Sequence, residues 1–256
     1  MHRTRRFRPV HFRSRQVGRS RCALPSLVVT RSRIRANGTR PTPAERGQAR
    51  RILNRLRDRY PSISTALEYR DPWQLLVATV ISAQTTDENV NRATPGLFSR
   101  YPNPAALAQA DPADVEKIIF STGFYRQKTK SIIELSRDLV VRFDGVVPDT
   151  IGELMELRGV GRKTASVVLA EAFGQRAIAV DTHVRRLSNR LGLSDSKDPG
   201  DIETDLKSLF PPAGWGGLSM RLIQYGRDVC VARTPRCHAC DLIDLCPFPD
   251  KTAPVR

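Results

Sequence analysis

In this chain of 256 residues, a lysine, an aspartate and four cysteines have the types and spacing to do chemistry. Lys163 lies in Leu157-Arg158-Gly159-Val160-Gly161-Arg162-Lys163-Thr164-Ala165, where a glycine-rich turn enters a helical pattern. A lysine amine attacks only when deprotonated, and nearby positive potential or loss of water lowers its pKa toward neutrality. The first turn of a helix supplies such potential, although a lysine there can equally be a plain phosphate contact. Further along, Ala179-Val180-Asp181-Thr182-His183-Val184 puts an aspartate between an apolar run and the start of a helix. Asp181 can cap that helix, and the cap would hold its carboxylate in place for acid–base work.

Cys230, Cys237, Cys240 and Cys246 are spaced C-x6-C-x2-C-x5-C. A disulfide framework spreads its bridges to close loops, whereas a cluster this tight in a chain without an export signal suggests metal ligands. Four thiolates can hold a tetrahedral zinc or a cubane [4Fe–4S] cluster. Zinc sites usually offer two close pairs, and here only Cys237 and Cys240 form one, so the spacing tilts the reading toward the cluster. Cys246 is also followed by Pro247, as in one ferredoxin pattern. Arg233 and Arg236 lie between the first two cysteines. A metal-stiffened loop presenting two guanidinium groups suits a phosphate backbone, while a simple solvated loop is the alternative. The remaining cysteine, Cys22, has no acid, base or second thiol beside it and reads as incidental.

The elements that must position these groups are helical. From Ala44 onward there is no sustained alternation of polar and apolar residues and no hairpin-turn signal, so an all-α body is expected. Ile52, Leu53 and Leu56 mark one face of a first helix that stops at Tyr60-Pro61. The run Trp73 to Ile81 is apolar on every face and must be central. Further helices are expected over 104–109, 112–121, 128–143, 149–156 and 162–173, with another ending near Tyr225-Gly226-Arg227. Around Gly159 and Gly161, apolar residues on both sides predict two antiparallel helices joined by a tight turn. The second would open with free N–H groups suited to a phosphate.

The formal net charge is +16. Residues 1–44 carry 12 arginines and no acidic residue, so the body is only mildly basic. Residues 1–43 lack any helical or strand period and read as a disordered tail. It could be an arm that gathers phosphates, a targeting segment, or the product of a translation start placed too early. No apolar run is long enough to span a membrane. A cytoplasmic, nucleoid-associated protein is expected, or a mitochondrial or nuclear one if the tail is a targeting segment.

Taken together and in this order, the hairpin, the lysine–aspartate pair and the cysteines resemble the endonuclease III family of the helix-hairpin-helix DNA glycosylases, over about 44–246. The resemblance implies a bifunctional base-excision enzyme that removes oxidised pyrimidines from duplex DNA and cleaves the abasic site by β-elimination. It makes Lys163 the Schiff-base lysine, Asp181 the supporting carboxylate, and the four cysteines the ligands of a [4Fe–4S] cluster. Ser82-Ala83-Gln84-Thr85-Thr86-Asp87 is similar to the segment whose glutamine fills the gap left by an extruded base, which implicates Gln84. Gly123-Phe124-Tyr125 is similar to the segment whose apolar residue wedges into the other strand, with Phe124 where the family often has leucine. Gly159, Gly161, Arg162, Thr164, Arg233 and Arg236 become expected DNA contacts.

The implied architecture is two helical domains with a DNA cleft between them. One comprises 44–64 and 176–256 and carries the cluster loop at 230–246; the other, 65–175, carries the hairpin at about 151–170. The expected partner is damaged double-stranded DNA, bound by a monomer. Two competing readings are a monofunctional glycosylase for adenine mispairs and a non-enzymatic iron–sulfur DNA-binding regulator. The first resembles a family that generally lacks lysine at the position of Lys163 and adds a C-terminal recognition domain. The second would need neither Lys163 nor Asp181.

Overall fold

The computed structural model describes residues 34–252. The arginines before residue 34, and Cys22 with them, lie outside the described residues. Among the described residues every regular element is helical. The helices are α1 (Pro43–Arg59), α2 (Pro72–Ile81), α3 (Asp87–Arg100), α4 (Pro104–Ala108), α5 (Pro112–Ile119), α6 (Tyr125–Phe143), α7 (Ile151–Glu156), α8 (Arg162–Glu171), α9 (Thr182–Arg190), α10 (Pro199–Leu209) and α11 (Leu218–Asp228). Short 3-10 turns stand at Phe120–Thr122, Pro212–Gly214, Cys237–Ala239 and Ile243–Leu245. None of these helices is long and apolar enough to cross a membrane.

The helix starts follow from side-chain caps. Thr42 and Glu45 close a capping box before α1, and Asp71, Thr86, Asn103 and Asp111 accept first-turn N–H groups of α2 to α5. Proline sits at the opening of α1, α2, α4, α5 and α10, where its missing N–H costs nothing.

Three expectations need correction. The tail does not run to residue 43: the Ala36 N–H donates to Asp205 Oδ1 at 2.9 Å, Arg35 pairs with Glu45 at 2.8 Å, and α1 already starts at Pro43. Distant acceptors on the body anchor a stretch that has little apolar content of its own. Helix α6 begins at Tyr125 rather than Lys128, because Phe124 adopts a left-handed conformation that launches it. Helices α3 and α10 carry no sequence assignment. In α3 the interior Pro95 obscures the pattern, but it is exposed, so water can satisfy the carbonyl it leaves unpaired.

Buried apolar side chains gather into two cores. The first surrounds α2, whose residues from Trp73 to Ile81 are all buried, and runs from Leu67 to Leu169. Fully burying such side chains is worth roughly 1.5–3 kcal/mol each, which makes α2 the axis of that layer. The second joins Ala49, Ile52, Leu53 and Leu56 of α1 to residues from Ile178 to Leu242. Polar ties bridge the two: Arg162 to Glu203 and Arg227 to Asp87.

Candidate functional site

The hairpin between α7 and α8 is built by its glycines for two different reasons. Gly159 has φ +77°, and a Cβ there would stand 2.9 Å from the Ser131 Cβ of α6. Only glycine allows both the conformation and the close approach. Gly161 has extended backbone, nothing near its missing Cβ, and is the N-cap of α8. No side chain caps that helix, so the first-turn N–H groups remain open to a ligand. Leu154, Leu157, Val160, Ala165 and Val168 anchor the hairpin in the first core.

Lys163 lies on the first turn of α8, exposed and with no hydrogen bond or ion pair to any described residue. Its neighbour Arg162 is already engaged: Nε and Nη2 donate to the buried Glu203 of α10, at 2.6 and 3.4 Å. This arginine, expected at DNA, thus also ties the hairpin to the other core. Lys207 pairs with the same carboxylate. Burial raises the Glu203 pKa, but the bonds from Arg162 and Lys207 outweigh it and hold the group below the ordinary carboxylate range. Thr164 is half-buried.

Asp181 caps α9, with Oδ1 accepting the Val184 N–H at 2.8 Å. Its other oxygen has no partner among the described residues and remains available. Two residues on is a group that the sequence reading passed over. His183 is half-buried, and Arg186 Nη2 lies 3.1 Å from its Nδ1. The guanidinium can only donate, so Nδ1 faces it as acceptor; burial pushes the imidazole pKa below the ordinary value and Arg186 adds to this, against the opposing pull of the Asp181 carboxylate. Arg186 also donates to the Gly226 and Cys230 carbonyls at 2.9 and 3.1 Å. Contacts therefore run from the first cysteine to the helix that Asp181 opens. An i, i+3 His–Arg pair just after the aspartate was the available signal.

Gln84 and Phe124 share an unusual trait. Both have positive φ, +55° and +48°, and both are exposed, Phe124 to 68%. The left-handed region costs a non-glycine residue about 1–2 kcal/mol, and such strain concentrates at functional positions. The Phe124 turn is braced from within. Lys128 is buried, its Nζ donates to the Thr122 carbonyl at 2.7 Å, and burial lowers its pKa.

Cys230, Cys237, Cys240 and Cys246 all line one recess of about 410 Å³, counting its open mouth. Arg190 Nη1 donates to Cys230 Sγ at 3.3 Å and the buried Tyr225 hydroxyl to Cys240 Sγ at 3.2 Å. Donors aimed at sulfur suit thiolate ligands. Among the described residues no three potential ligands converge on a point that could hold a single metal ion. The loop between the first two cysteines exposes Arg233, while Arg236 donates to the Asp228 carbonyl at 3.2 Å and so partly braces its own loop.

The sequence and the fold are both matched among known proteins. Residues 77–212 fit the HhH-GPD superfamily of base excision DNA repair proteins. The chain is 50% identical over 209 residues to endonuclease III of Synechocystis sp., covering 81% of this chain and 95% of that protein. The Escherichia coli K12 endonuclease III is 40% identical over 200 residues, covering 78% and 95%. The chain belongs to the endonuclease III family. Among solved structures, that of a non-covalent endonuclease III–DNA complex superposes with a TM-score of 0.76 at 40% identity, covering 79% of this chain and 95% of that one. A thermostable thymine-DNA glycosylase shares the fold, with a TM-score of 0.73 at 22% identity. The family match runs from the middle of α2 to the start of the Pro212–Gly214 turn, and so includes the Gln84 and Phe124 turns, the hairpin and Asp181.

Proposed function

We propose that Lys163 and Asp181 carry the reaction of this endonuclease III family member. The protein is a base-excision-repair DNA glycosylase and AP lyase, acting on oxidised pyrimidines. The observation that carries the residue assignment is the exposed, unpaired Lys163 amine on the open N-terminus of α8, with Arg162 beside it tying that helix to the core from which Asp181 rises. A solved endonuclease III–DNA complex described as a trapped covalent intermediate supports covalent chemistry of this kind.

The target base must leave the stack before a protein group can reach its sugar. Gln84 and Phe124, held in strained exposed turns, would fill the gap and wedge the opposite strand. The open N–H groups of α8, and the backbone at Gly159 and Gly161, would hold phosphates. Lys163 Nζ then forms a bond to C1′ as the base departs with its electron pair, and Asp181 assists the proton transfers. Ring opening gives an imine that acidifies the C2′ hydrogen. Loss of that proton expels the 3′ phosphate and completes β-elimination.

The four cysteines fit a [4Fe–4S] cluster, which would supply rigidity to the loop bearing Arg233 and Arg236 rather than a step in this chemistry. The two cores support the reading of 44–64 with 176–256 as one domain and 65–175 as the other, with damaged duplex DNA lying across their junction. A monomer located with the nucleoid in the cytoplasm fits this role.

Borohydride added during turnover on duplex DNA containing an oxidised pyrimidine should trap a covalent protein–DNA adduct. Lys163→Gln should abolish both adduct and strand cleavage while damaged-DNA binding survives. Asp181→Asn should slow base release far more than it destabilises the fold, because an amide oxygen can still cap α9. Excision by wild-type protein without any adduct would refute the lyase assignment.

A further inference from the structure

We propose that Phe120 is a second stacking residue, placed beside Phe124 to meet the nucleobase opposite the lesion and to discriminate purine from pyrimidine there. This rests on the reading of the Phe120–Phe124 turn as the part of the protein that enters the helix. Phe120 opens the 3-10 turn Phe120–Thr122 and is 63% exposed, although the first core lies directly beneath it through Ile119 and Thr122. Leaving a phenyl ring in water forfeits most of the burial energy available to it. Two such exposed rings stand only four positions apart in the chain.

The ring is exposed without being loose. Its centroid is 4.8 Å from that of Tyr125, with the planes tilted by 47°, and Arg126 lies over the other partner, its guanidinium carbon 5.4 Å from the Tyr125 ring centre. The backbone beneath is fixed by the Gly123 N–H to the Phe120 carbonyl, Thr122 Oγ1 to the Ile119 carbonyl, and the buried Lys128 ammonium to the Thr122 carbonyl. An aromatic platform that is already ordered gives up little entropy when a base stacks on it.

The surroundings favour nucleic acid as the occupant. Arg126, Lys117 and Lys130, on the helices that flank the turn, are exposed and make only long contacts of 3.9, 3.5 and 4.0 Å to Glu116, Asp114 and Glu134. Their charge remains largely available to phosphates. Every base has a face that can stack, but a purine offers more of it. A second ring should therefore hold an opposite purine better than an opposite pyrimidine.

The test is full-length protein carrying Phe120→Ala or Phe120→Trp, titrated against duplexes in which a single oxidised pyrimidine faces adenine, guanine, cytosine or thymine. Base–aromatic stacking of the usual strength predicts affinity about 5- to 150-fold weaker for Phe120→Ala, with the purine preference shrinking. Phe120→Trp should restore both. 2-Aminopurine placed opposite the lesion should be quenched by wild type and less so by Phe120→Ala. Unchanged affinity and preference in Phe120→Ala, or a loss confined to self-association, would overturn the proposal. Borohydride trapping by wild type, run alongside, reports separately on the enzymatic reading.

Discussion

The two hairpin glycines should fail in different ways when given a methyl group. At Gly159 the backbone is at φ +77°, a conformation that costs a non-glycine residue roughly 1–2 kcal/mol. The new Cβ would also be 2.9 Å from Ser131 Cβ and 3.1 Å from Ser131 Oγ, on a helix packed into the core. Overpacking of this sort adds about 1–3 kcal/mol. Gly159→Ala should therefore lose about 2–5 kcal/mol of stability, and for a domain of this size lower Tm by roughly 4–20 °C. Gly161 has φ −88° and no atom within 4 Å of the missing Cβ. Gly161→Ala should cost at most about 1 kcal/mol, through the poorer N-cap alone. It nonetheless puts a methyl group where a phosphate would approach α8. Urea unfolding and fluorescence anisotropy on undamaged duplex DNA separate the effects: stability falls for Gly159→Ala, whereas for Gly161→Ala affinity falls at nearly unchanged stability. Equal loss of stability in both variants, or full DNA affinity in Gly161→Ala, would refute this division of labour.

Lys128→Met removes a buried ammonium and leaves the Thr122 carbonyl unpaired, so the wedge turn should loosen; single-turnover excision should fall about 10- to 100-fold, as misplaced groups typically cause, with little change in Tm. Glu203, which is buried, and Glu171, which is half-buried, should show opposite pH dependence. Glu203 has a depressed pKa, so its stabilisation is present above about pH 4.5 and lost as pH falls through the lower folded value; Glu203→Gln should flatten that acid limb in denaturation measured across pH. Burial raises the Glu171 pKa, so its contribution falls as pH rises above about 4.5, and Glu171→Gln should make the protein relatively more stable near neutrality. Cys237→Ser should reduce iron content and duplex affinity together, which elemental analysis and anisotropy can follow on the same sample.

What the sequence disclosed, and what it withheld, separates along physical lines. Helical periodicity, proline and aspartate at helix starts, the Gly159–Gly161 spacing and the cysteine spacing are local patterns, and they located the all-α body, the hairpin and the recess. The features it withheld depend on contacts between distant residues. Nothing local to Arg162 signals that its guanidinium is held by Glu203, forty-one positions on. Residues 34–42 look like tail until Asp205 accepts the Ala36 N–H. The positive φ of Gln84 and Phe124 is a further case, because neither residue type advertises a left-handed backbone as glycine does.

That last point bears on how the site works. Of the three non-glycine residues with positive φ among the described residues, Asp144 ends α6 and the other two are the side chains expected to enter DNA, one of them braced by a buried lysine. A wedge held in position before DNA arrives does not have to be ordered during base extrusion, so more of the binding energy goes into distorting the helix. The Arg162–Glu203 tie acts on the other half of the site in the same sense. It fixes the helix bearing Lys163 against the core bearing Asp181, and so constrains the two groups on which the proposed chemistry depends.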